Sequence, residues 1–487
     1  LISPSLKTEL QLNAITEPEL LLKNLIISKS IYLAKVVKKE EFSNCFTPFI
    51  EISELFSKFA FNKLIIMDEK LYKKELEFIF NLFPSYQVVG ERAYKPGVEN
   101  MVKFDQYLGS PSQKFDSIHI AGTNGKGSTS HLLASVFASN GYRVGLYTSP
   151  HLKDFRERIK ICDSNGYQMI SQDEVYKFLT QHRDYFIENN LSFFEITTAL
   201  AFSHFSQSQI DIAIIETGLG GRLDSTNIIT PKLSIITNIG FDHCQYLGNT
   251  LQEIATEKGG IIKQNGKVLI GEADVVCREV FENIATEKSA EIHFADQNND
   301  VDLSQFDLQG DYQRFNINCV KSALSILSKI GYSFDNQLVD EGLKNTARNT
   351  GLLGRWQVIS HNPTTICDTG HNAHGLKHVF NQLTRLHQER VYDKIYIIFG
   401  TVVERDVDSL LEIMPNFPKY FITKADNHRA LEPKILAKKM LDAGFDVDIC
   451  ESISLAIEQA TNSANESDLI FIGGSTYLVA ESDISGK

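Results

Sequence analysis

The fold of this chain is decided by the stretch Gly122-Thr123-Asn124-Gly125-Lys126-Gly127-Ser128, which follows the β-branched run Ser117–Ile120 and precedes the helical stretch Thr129–Asn140. Its three glycines allow backbone N–H groups to converge on one point, because no Cβ atom obstructs them. The helix N-terminus adds partial positive charge, Lys126 adds a full charge, and Ser128 offers Mg²⁺ a hydroxyl. The stretch therefore predicts a phosphate-binding loop. A glycine-rich turn without a ligand is the alternative, and the presence of both polar side chains disfavours it.

Short β-branched runs, each followed by a turn and a helical stretch, form two series along the chain. The first series is Ser117–Ile120, Arg143–Tyr147, Ile210–Ile215 and Leu233–Thr237; the second is Thr365–Cys367, Lys394–Phe399, Tyr420–Thr423, Val447–Cys450 and Asp468–Ile472. This alternation predicts an α/β fold with mostly parallel sheets that helices cover on both faces. The polar segment Asn345–Gly354 separates the series and is predicted to be a linker. We therefore place one domain at 67–349 and another at 350–487.

Composition narrows the classes of function. The 487-residue chain carries a net charge of −13, which disfavours a general nucleic-acid or membrane-surface binder. Its seven cysteines are scattered without a C-x-x-C pair, a usage typical of reduced cytosolic thiols. No apolar run approaches the ~20 residues that span a bilayer. We expect a cytoplasmic monomer that acts on small molecules and has no nucleic-acid or membrane partner.

The first 66 residues carry no chemical motif. The first methionine is Met67, and the strand–helix alternation begins after it. We interpret residues 1–66 as an extension to which no role is assigned, and we leave open whether it belongs to the native protein.

Polar side chains follow the remaining strands of the first series. Ser149 follows the second strand, Glu216 follows the third, and Asp242-His243 follows the fourth. Ligands of open α/β sheets bind beyond the carboxyl ends of the strands, so these groups should converge on the phosphate-binding loop. A hydroxyl, a carboxylate and an imidazole can hold a divalent metal ion together with water and phosphate oxygens. Taken singly, each residue could instead be structural.

Several motifs together resemble folylpolyglutamate synthase/dihydrofolate synthase, a branch of the Mur ligase superfamily. They are Gly122–Ser128, Ser149-Pro150-His151-Leu152, Glu216–Asp224, Gly240-Phe241-Asp242-His243, Gly354-Arg355 and Asp368-x-x-His371-Asn372. The resemblance runs from Met67 to the C-terminus. It implies a central P-loop ATPase domain followed by a Rossmann-like C-terminal glutamate-ligase domain. It also implies that ATP phosphorylates a carboxylate of a folate or a dihydropteroate, and that the amine of L-glutamate then attacks the acyl phosphate.

The resemblance also assigns roles to individual residues. The implied catalytic residues are Lys126, Lys258 and His371. ATP would bind Gly122, Thr123, Asn124, Gly125, Lys126, Gly127, Ser128, Asn316, Arg355 and Asp368. Ser149 and Glu216 would hold one Mg²⁺, His243 would hold a second, and a carbamylated Lys258 would contribute to metal binding. The folate would contact Phe193, Glu195, Leu223, Asp224 and Ser225.

The chain departs from the family pattern at one site residue's neighbours, and two other functions are alternatives. The family's usual E-K-A-G around the modified lysine is Glu257-Lys258-Gly259-Gly260 in this chain. A UDP-sugar-peptide ligase would share the ATP chemistry but would need an N-terminal nucleotide-sugar domain. A catalytically silent nucleotide-binding protein is the rival from another class. The sequence leaves open whether the enzyme makes dihydrofolate, extends polyglutamate or does both.

Overall fold

The structure, a computed structural model, describes residues 69–83, 95, 97–296 and 300–482. Within these ranges the strands form one sheet of eight strands and another of six. The extension predicted at 1–66 lies outside the described residues. No helix of the described part of the chain is long and apolar enough to cross a bilayer.

The first sheet has six parallel strands and an antiparallel hairpin at one edge. Its strands are β1 (Ser117–Ala121), β2 (Val144–Tyr147), β3 (Ile159–Asp163), β4 (Gly166–Met169), β5 (Ile212–Glu216), β6 (Leu233–Ile236), β7 (Lys267–Ile270) and β8 (Glu291–Phe294). They lie in the order β4-β3-β2-β5-β1-β6-β7-β8, and the β3–β4 hairpin forms the antiparallel edge. Every residue of the central strands β1 and β5 is buried, as expected for parallel strands covered on both faces.

The helices that precede β9 in the chain surround the first sheet and cover both of its faces. They are α1 (Glu69–Leu82), α2 (Glu99–Tyr107), α3 (Lys126–Ser139), α4 (Gln172–Glu188), α5 (Phe193–Gln207), α6 (Cys244–Leu247), α7 (Leu251–Gly259), α8 (Val275–Glu287), α9 (Gln313–Ser328), α10 (Asn336–Lys344) and α11 (Thr346–Thr350). Ile118 and Ile120 of β1 belong to the apolar cluster that also contains buried residues of α3 and α9. Ile236 and Ile270 belong to a different cluster, with Phe281 of α8. Adjacent strand residues therefore point to opposite helix layers.

The second sheet repeats this layering. Its strands are β9 (Gln357–His361), β10 (Thr364–Cys367), β11 (Ile395–Phe399), β12 (Lys419–Ile422), β13 (Asp446–Ile449) and β14 (Leu469–Gly473). They lie in the order β13-β12-β11-β14-β10-β9 and are parallel except for β9. The helices are α12 (Ala373–Gln388), α13 (Val407–Leu411), α14 (Pro433–Asp442), α15 (Ile453–Ser463) and α16 (Thr476–Glu481).

All nine predicted strands are present, with boundaries within two residues of those expected. The prediction was incomplete at β3, β4, β7, β8 and β9. The segment predicted as a linker, Asn345–Gly354, contains the short helix α11 at Thr346–Thr350. The last residue of α11, Thr350, is buried. A 2.7 Å hydrogen bond joins its hydroxyl to His131 Nδ1 of α3. This contact ties the middle of the segment to α3, which packs on the first sheet.

Candidate active site

Two glycines give the loop after β1 a backbone that other residues rarely adopt. Gly122 and Gly125 have φ angles of 148° and 81°. A Cβ atom at Gly122 would lie 1.9 Å from Thr237 Oγ1, and one at Gly125 would lie 2.4 Å from Asn316 Oδ1. The loop therefore packs closely on the residue after β6 and on α9, and it enters α3 directly at Lys126.

Hydrogen bonds to the segment after β6 fix the loop. The amide of Thr123 donates to the carbonyl oxygen of Asn238, and the amide of Asn124 donates to its side-chain oxygen, both at 2.9 Å. Thr237 Oγ1 donates to the carbonyl oxygen of Asn124 at 2.6 Å. Thr123 Oγ1 donates to the carbonyl oxygen of Gly240 and accepts from its amide. The predicted phosphate-binding loop is therefore held in place by its own side chains and by the neighbouring strand end.

Two cavities, of about 190 Å³ and about 260 Å³, meet at this loop. The residues that line both are Thr123, Lys126, Ser149, Pro150, His371 and Thr476. Lys126 Nζ donates to the carbonyl oxygens of Gly122 and Thr123 at 3.1 and 3.3 Å. Lys126 therefore lies at the junction of the two cavities.

The first cavity is lined by the predicted nucleotide contacts Asn316, Arg355 and Asp368, together with residues 123–128 of the loop. Asn316 Nδ2 donates to Gln313 Oε1 at 2.8 Å, and Gln313 Nε2 donates in turn to Ser128 Oγ at 3.2 Å. Ser128, whose hydroxyl was expected to suit Mg²⁺, is therefore bonded to α9. Sequence analysis did not predict this contact.

Asp368 lines the first cavity, but its carboxylate is already used by the protein. One oxygen accepts hydrogen bonds from the Tyr312 hydroxyl at 2.5 Å and from the Trp356 amide at 2.8 Å. The other accepts from the Gly370 amide at 2.7 Å. Burial raises the pKa of Asp368. The Trp356 amide directly follows Arg355 in the chain. By accepting a hydrogen bond from this amide, the Asp368 carboxylate positions Arg355 at the wall of the first cavity.

Glu216 and Ser149 lie together at the ends of β5 and β2. The Ser149 amide donates to Glu216 Oε2 at 3.0 Å. Burial raises the pKa of Glu216, while the positive charge of Lys126 acts in the opposite direction. A Cβ atom at Gly127 would lie 3.6 Å from Glu216 Oε2, so the carboxylate faces the first turn of α3. The prediction that these strand ends converge on the loop holds for this pair.

Lys258 and His243 lie on the second-cavity side of the loop. Lys258 Nζ donates to the carbonyl oxygen of Gly122 at 2.8 Å. Burial, and then the charge of Lys126, lower the pKa of Lys258 to about 7. Burial also lowers the pKa of His243 to about 4, so its imidazole is neutral at neutral pH and can serve as a metal ligand.

Asp242 joins the loop after β6 to the C-terminal domain. Arg405 Nη1 donates to Asp242 Oδ1 at 2.6 Å, and Asn372 Nδ2 donates to Oδ2 at 2.9 Å. His371 Nε2 lies 3.7 Å from the same carboxylate. Burial would raise the pKa of Asp242, but His243, His371 and Arg405 outweigh it and hold the pKa well below its usual value. Predicted residues of both domains therefore meet at one buried carboxylate.

The second cavity is apolar on one wall and cationic on another. Phe193, Leu223 and Ser225, which the sequence resemblance assigns to the folate, line it. Phe80 of α1 stacks on Phe193 with ring centroids 5.1 Å apart. Arg158 lies 5.4 Å from the same ring. A flat aromatic ligand with a carboxylate would suit this combination.

Two predicted folate contacts have structural roles. Glu195 is not among the residues that line the described cavities. Its carboxylate accepts from the Ser192 amide at 2.6 Å and completes a capping box at the start of α5. Asp224 lines the second cavity, but its oxygens accept from the amides of Gly218, Leu219 and Thr226. Buried N–H groups need acceptors, and these two carboxylates supply them.

The sequence did not single out three arginines that line the second cavity, namely Arg158, Arg405 and Arg429. Arg429 donates to Glu404 at 2.8 Å and to the Tyr477 hydroxyl at 3.0 Å. Isolated arginines carry no spacing signal, and Arg405 and Arg429 reach the cavity only through the packing of the second domain.

The donor set fits a metal ion that is shared with substrate. Among the described residues, no group of three His, Cys, Asp or Glu side chains is placed to hold a metal ion. Mg²⁺ usually binds one or two carboxylates and completes its shell with water and phosphate oxygens. Glu216 and Ser149 beside the phosphate-binding loop satisfy this requirement. His243 and Lys258 line the second cavity, whereas Glu216 lines the first.

Two family profiles match the chain: the Mur ligase middle domain over residues 120–332, and the Mur ligase, glutamate ligase domain over residues 354–476. A dihydrofolate synthase/folylpolyglutamate synthase from Buchnera aphidicola subsp. Schizaphis graminum is 30% identical over 425 residues, which cover 84% of this chain and 97% of that protein. The chain belongs to the dihydrofolate synthase/folylpolyglutamate synthase family of Mur ligases. The resemblance found in the sequence is thereby confirmed, as is the ligase class.

Other members of the family agree in sequence and architecture. A probable bifunctional folylpolyglutamate synthase/dihydropteroate synthase from Haloferax volcanii is 29% identical over 443 residues, and the match covers 84% of this chain but only 50% of that protein. One solved structure is a bifunctional folylpolyglutamate synthase/dihydrofolate synthase with manganese, AMPPNP and L-glutamate bound. It is 26% identical to this chain and superposes with a TM-score of 0.68; the match covers 80% of this chain and 93% of that one. The predicted fold class is therefore confirmed.

Proposed function

We propose that this chain forms an amide between the carboxylate of a folate or dihydropteroate and the amine of L-glutamate, with ATP as the source of energy. The observation that carries the proposal is the position of Lys126 at the junction of the two cavities. ATP occupies the first cavity, and the folate occupies the second. The γ-phosphoryl group then has a short path to the acceptor carboxylate.

Charge neutralisation explains the first chemical step. Phosphoryl transfer depends mainly on positioning and on stabilising charge that spreads over the transferred group. Lys126, the N-terminus of α3 and Arg355 supply positive charge on the protein's side. Mg²⁺ held by Ser149 and Glu216 would neutralise phosphate oxygens when bound. The acceptor carboxylate attacks the γ-phosphorus, ADP leaves, and an acyl phosphate forms in the second cavity.

The second step needs L-glutamate beside the acyl phosphate. Arg405 and Arg429 bring positive charge from the C-terminal domain to the second cavity, and guanidinium groups bind carboxylates well. We assign L-glutamate to this wall. Its neutral amine attacks the acyl carbon, the C–N bond forms, and inorganic phosphate leaves. The aromatic wall at Phe193 is assigned to the pterin ring.

Lys258 is proposed to be carbamylated. Carbamylation requires a neutral amine, and a pKa of about 7 leaves a large neutral fraction at neutral pH. This fraction grows as the pH rises. The resulting carbamate would place negative oxygen atoms near His243, where a second metal ion would bind.

One set of assays tests the proposal and its rivals. ADP release is measured with dihydropteroate, with tetrahydrofolate, with each plus L-glutamate, and without acceptor. A further mixture contains a UDP-sugar peptide as acceptor. We expect sustained ADP release only when a folate-type acceptor and L-glutamate are both present, and at most one turnover with the acceptor alone. Release that requires a UDP-sugar peptide would support another Mur ligase activity, and no release with any acceptor would support a silent nucleotide-binding protein.

We also propose that the enzyme is a cytoplasmic monomer whose domains divide near residue 350.

A further inference from the structure

Glu272 places a carboxylate in the wall of the first cavity. It follows Gly271 immediately after β7. The Gly271 amide donates to the carbonyl oxygen of Ile236, and the Glu272 amide donates to that of Thr237, both at 2.8 Å. A Cβ atom at position 271 would lie 2.3 Å from the Thr237 oxygen, so this close approach requires glycine. The backbone of Glu272 is therefore fixed beside the strand end that supports the phosphate-binding loop.

The carboxylate of Glu272 has spare capacity to accept hydrogen bonds. Asn238 Nδ2 donates to Glu272 Oε1 at a long 3.4 Å. The side-chain oxygen of Asn238 is also occupied, because it accepts a hydrogen bond from the backbone amide of Asn124. Burial raises the pKa of Glu272, and within the described part of the chain no cation opposes this shift. A partly buried carboxylate with one weak partner gains stability from a donor that a ligand brings.

We expect Glu272 to face the base of a bound nucleotide rather than its phosphates. Phosphates occupy the end formed by Lys126 and the start of α3, where a carboxylate would repel them. The other end contains the rings of Phe315, His374 and His378, and Phe315 and His378 lie 5.6 Å apart between ring centroids. These flat side chains suit a purine.

The charge of Glu272 also acts on a residue of α9. Burial, and then the charge of Glu272, raise the pKa of the Cys319 thiol to about 12. Cys319 lies one turn after Asn316, which lines the cavity. The carboxylate therefore lies near the wall that carries Phe315 and Asn316.

We propose that Glu272 selects adenine, because its carboxylate accepts a hydrogen bond from the 6-amino group of the base. Inosine and guanosine triphosphates present a carbonyl oxygen at this position, which the carboxylate repels. Base selectivity of this kind arises when a buried polar group is left unpaired by the wrong substrate. The inference rests on the proposed use of a nucleoside triphosphate in the first cavity.

The test compares ATP, ITP and 2′-deoxy-ATP in the unaltered enzyme and in Glu272→Gln. The glutamine amide can donate to the 6-oxo group, so the ratio of kcat/KM for ATP to that for ITP should fall about tenfold or more. The ratio for ATP to 2′-deoxy-ATP should stay unchanged. Glu279→Gln, which alters an exposed carboxylate on α8, is the matched control and should change neither ratio.

Binding measurements keep this test separate from turnover. ADP and IDP affinities are measured by calorimetry for the same proteins and for Glu272→Asp, which withdraws the carboxylate by one methylene group. Loss of the ADP preference in both Glu272 variants supports the proposal. An unchanged preference for ADP over IDP overturns the proposal. A change confined to the ratio for ATP to 2′-deoxy-ATP also overturns it, because the carboxylate would then contact the ribose. If the unaltered enzyme binds ADP but ligates no glutamate, the proposed function fails while this inference stands.

Discussion

Arg405 and Asp242 form an ion pair that joins the two domains, with Arg405 Nη1 2.6 Å from Asp242 Oδ1. Asp242 follows β6, which also supports the phosphate-binding loop. Arg405 follows β11 in the C-terminal domain and lines the second cavity. The pair therefore links the placement of the glutamate wall to the position of the loop.

Arg405→Ala should lower kcat more than it raises the KM for ATP. The change removes the arginine partner of a buried carboxylate, and breaking a buried ion pair lowers the free energy of unfolding by up to about 3–5 kcal/mol. Asn372 and His371 remain beside Asp242. ATP contacts from the loop would persist, whereas the C-terminal domain would lose a constraint on its position. We expect kcat to fall about 100-fold or more, as measured by steady-state kinetics with saturating folate.

Two comparisons make this prediction specific. Lys438→Ala removes an exposed positive charge from α14 and should leave kcat unchanged. Arg405→Lys keeps the charge and should recover part of the loss. Normal kcat in Arg405→Ala would mean that the pair does not position the site.

Glu216→Gln and His243→Ala should both raise the Mg²⁺ concentration needed for half-maximal activity. The first replaces a charged ligand with a neutral amide, and the second removes an imidazole. Because Glu216 and His243 lie in different cavities, their effects should differ: the first should weaken ATP-dependent phosphoryl transfer, and the second should act on a separate ion. Mg²⁺ titrations of ADP release check this. Identical titration curves for both variants and the unaltered enzyme would assign both residues structural roles.

Lys258→Ala should be inactive and should recover activity in part when short carboxylates such as acetate are added. The added anion can restore negative oxygen ligands that the carbamate would supply. In the unaltered enzyme, mass spectrometry of the folded protein in bicarbonate should show a carbamate on this lysine. Full activity of Lys258→Ala in the absence of added carboxylate would contradict the assignment.

The paired glycines after Lys258 should differ in their tolerance of alanine. A Cβ atom at Gly259 would lie 2.6 Å from Ile284 Cδ1 and in ordinary contact, at 3.6 Å, with the Phe281 ring. One at Gly260 would lie 2.3 Å from the Arg222 Cα atom. A side-chain end can move, but backbone cannot do so without a large strain. Gly259→Ala should therefore lower the Tm by a few degrees or less, and Gly260→Ala should lower it far more. Thermal melting of both variants checks this, and equal melting temperatures would contradict it.

The sequence predicted the parts of the fold whose signals are local. β1, β5 and β6 are apolar runs that end in polar motifs, and their strand ends converge as expected. The β3–β4 hairpin was missed because Lys160 interrupts its apolar pattern. In the structure Lys160 is buried, and its amine donates to the carbonyl oxygens of Thr350 and Gly351. Such long-range contacts leave no periodic signal.

The sequence motifs predicted which residues lie around the phosphate-binding loop, but they did not predict contacts that depend on packing. Lys126, Glu216 and Lys258 lie around the loop as expected. Glu195 and Asp224 match family segments, yet their carboxylates serve backbone amides in the structure. Sequence patterns report residue type and spacing, and they cannot distinguish a carboxylate that faces a ligand from one that caps a turn.

Transfer of ¹⁸O from the acceptor to phosphate tests the central claim most directly. The acceptor carboxylate is labelled with ¹⁸O, and the enzyme is given ATP and L-glutamate. If the γ-phosphoryl group crosses the Lys126 junction to the carboxylate, each inorganic phosphate released should carry one ¹⁸O atom, and Lys126→Ala should release almost none. Unlabelled phosphate accompanied by amide formation would contradict the account.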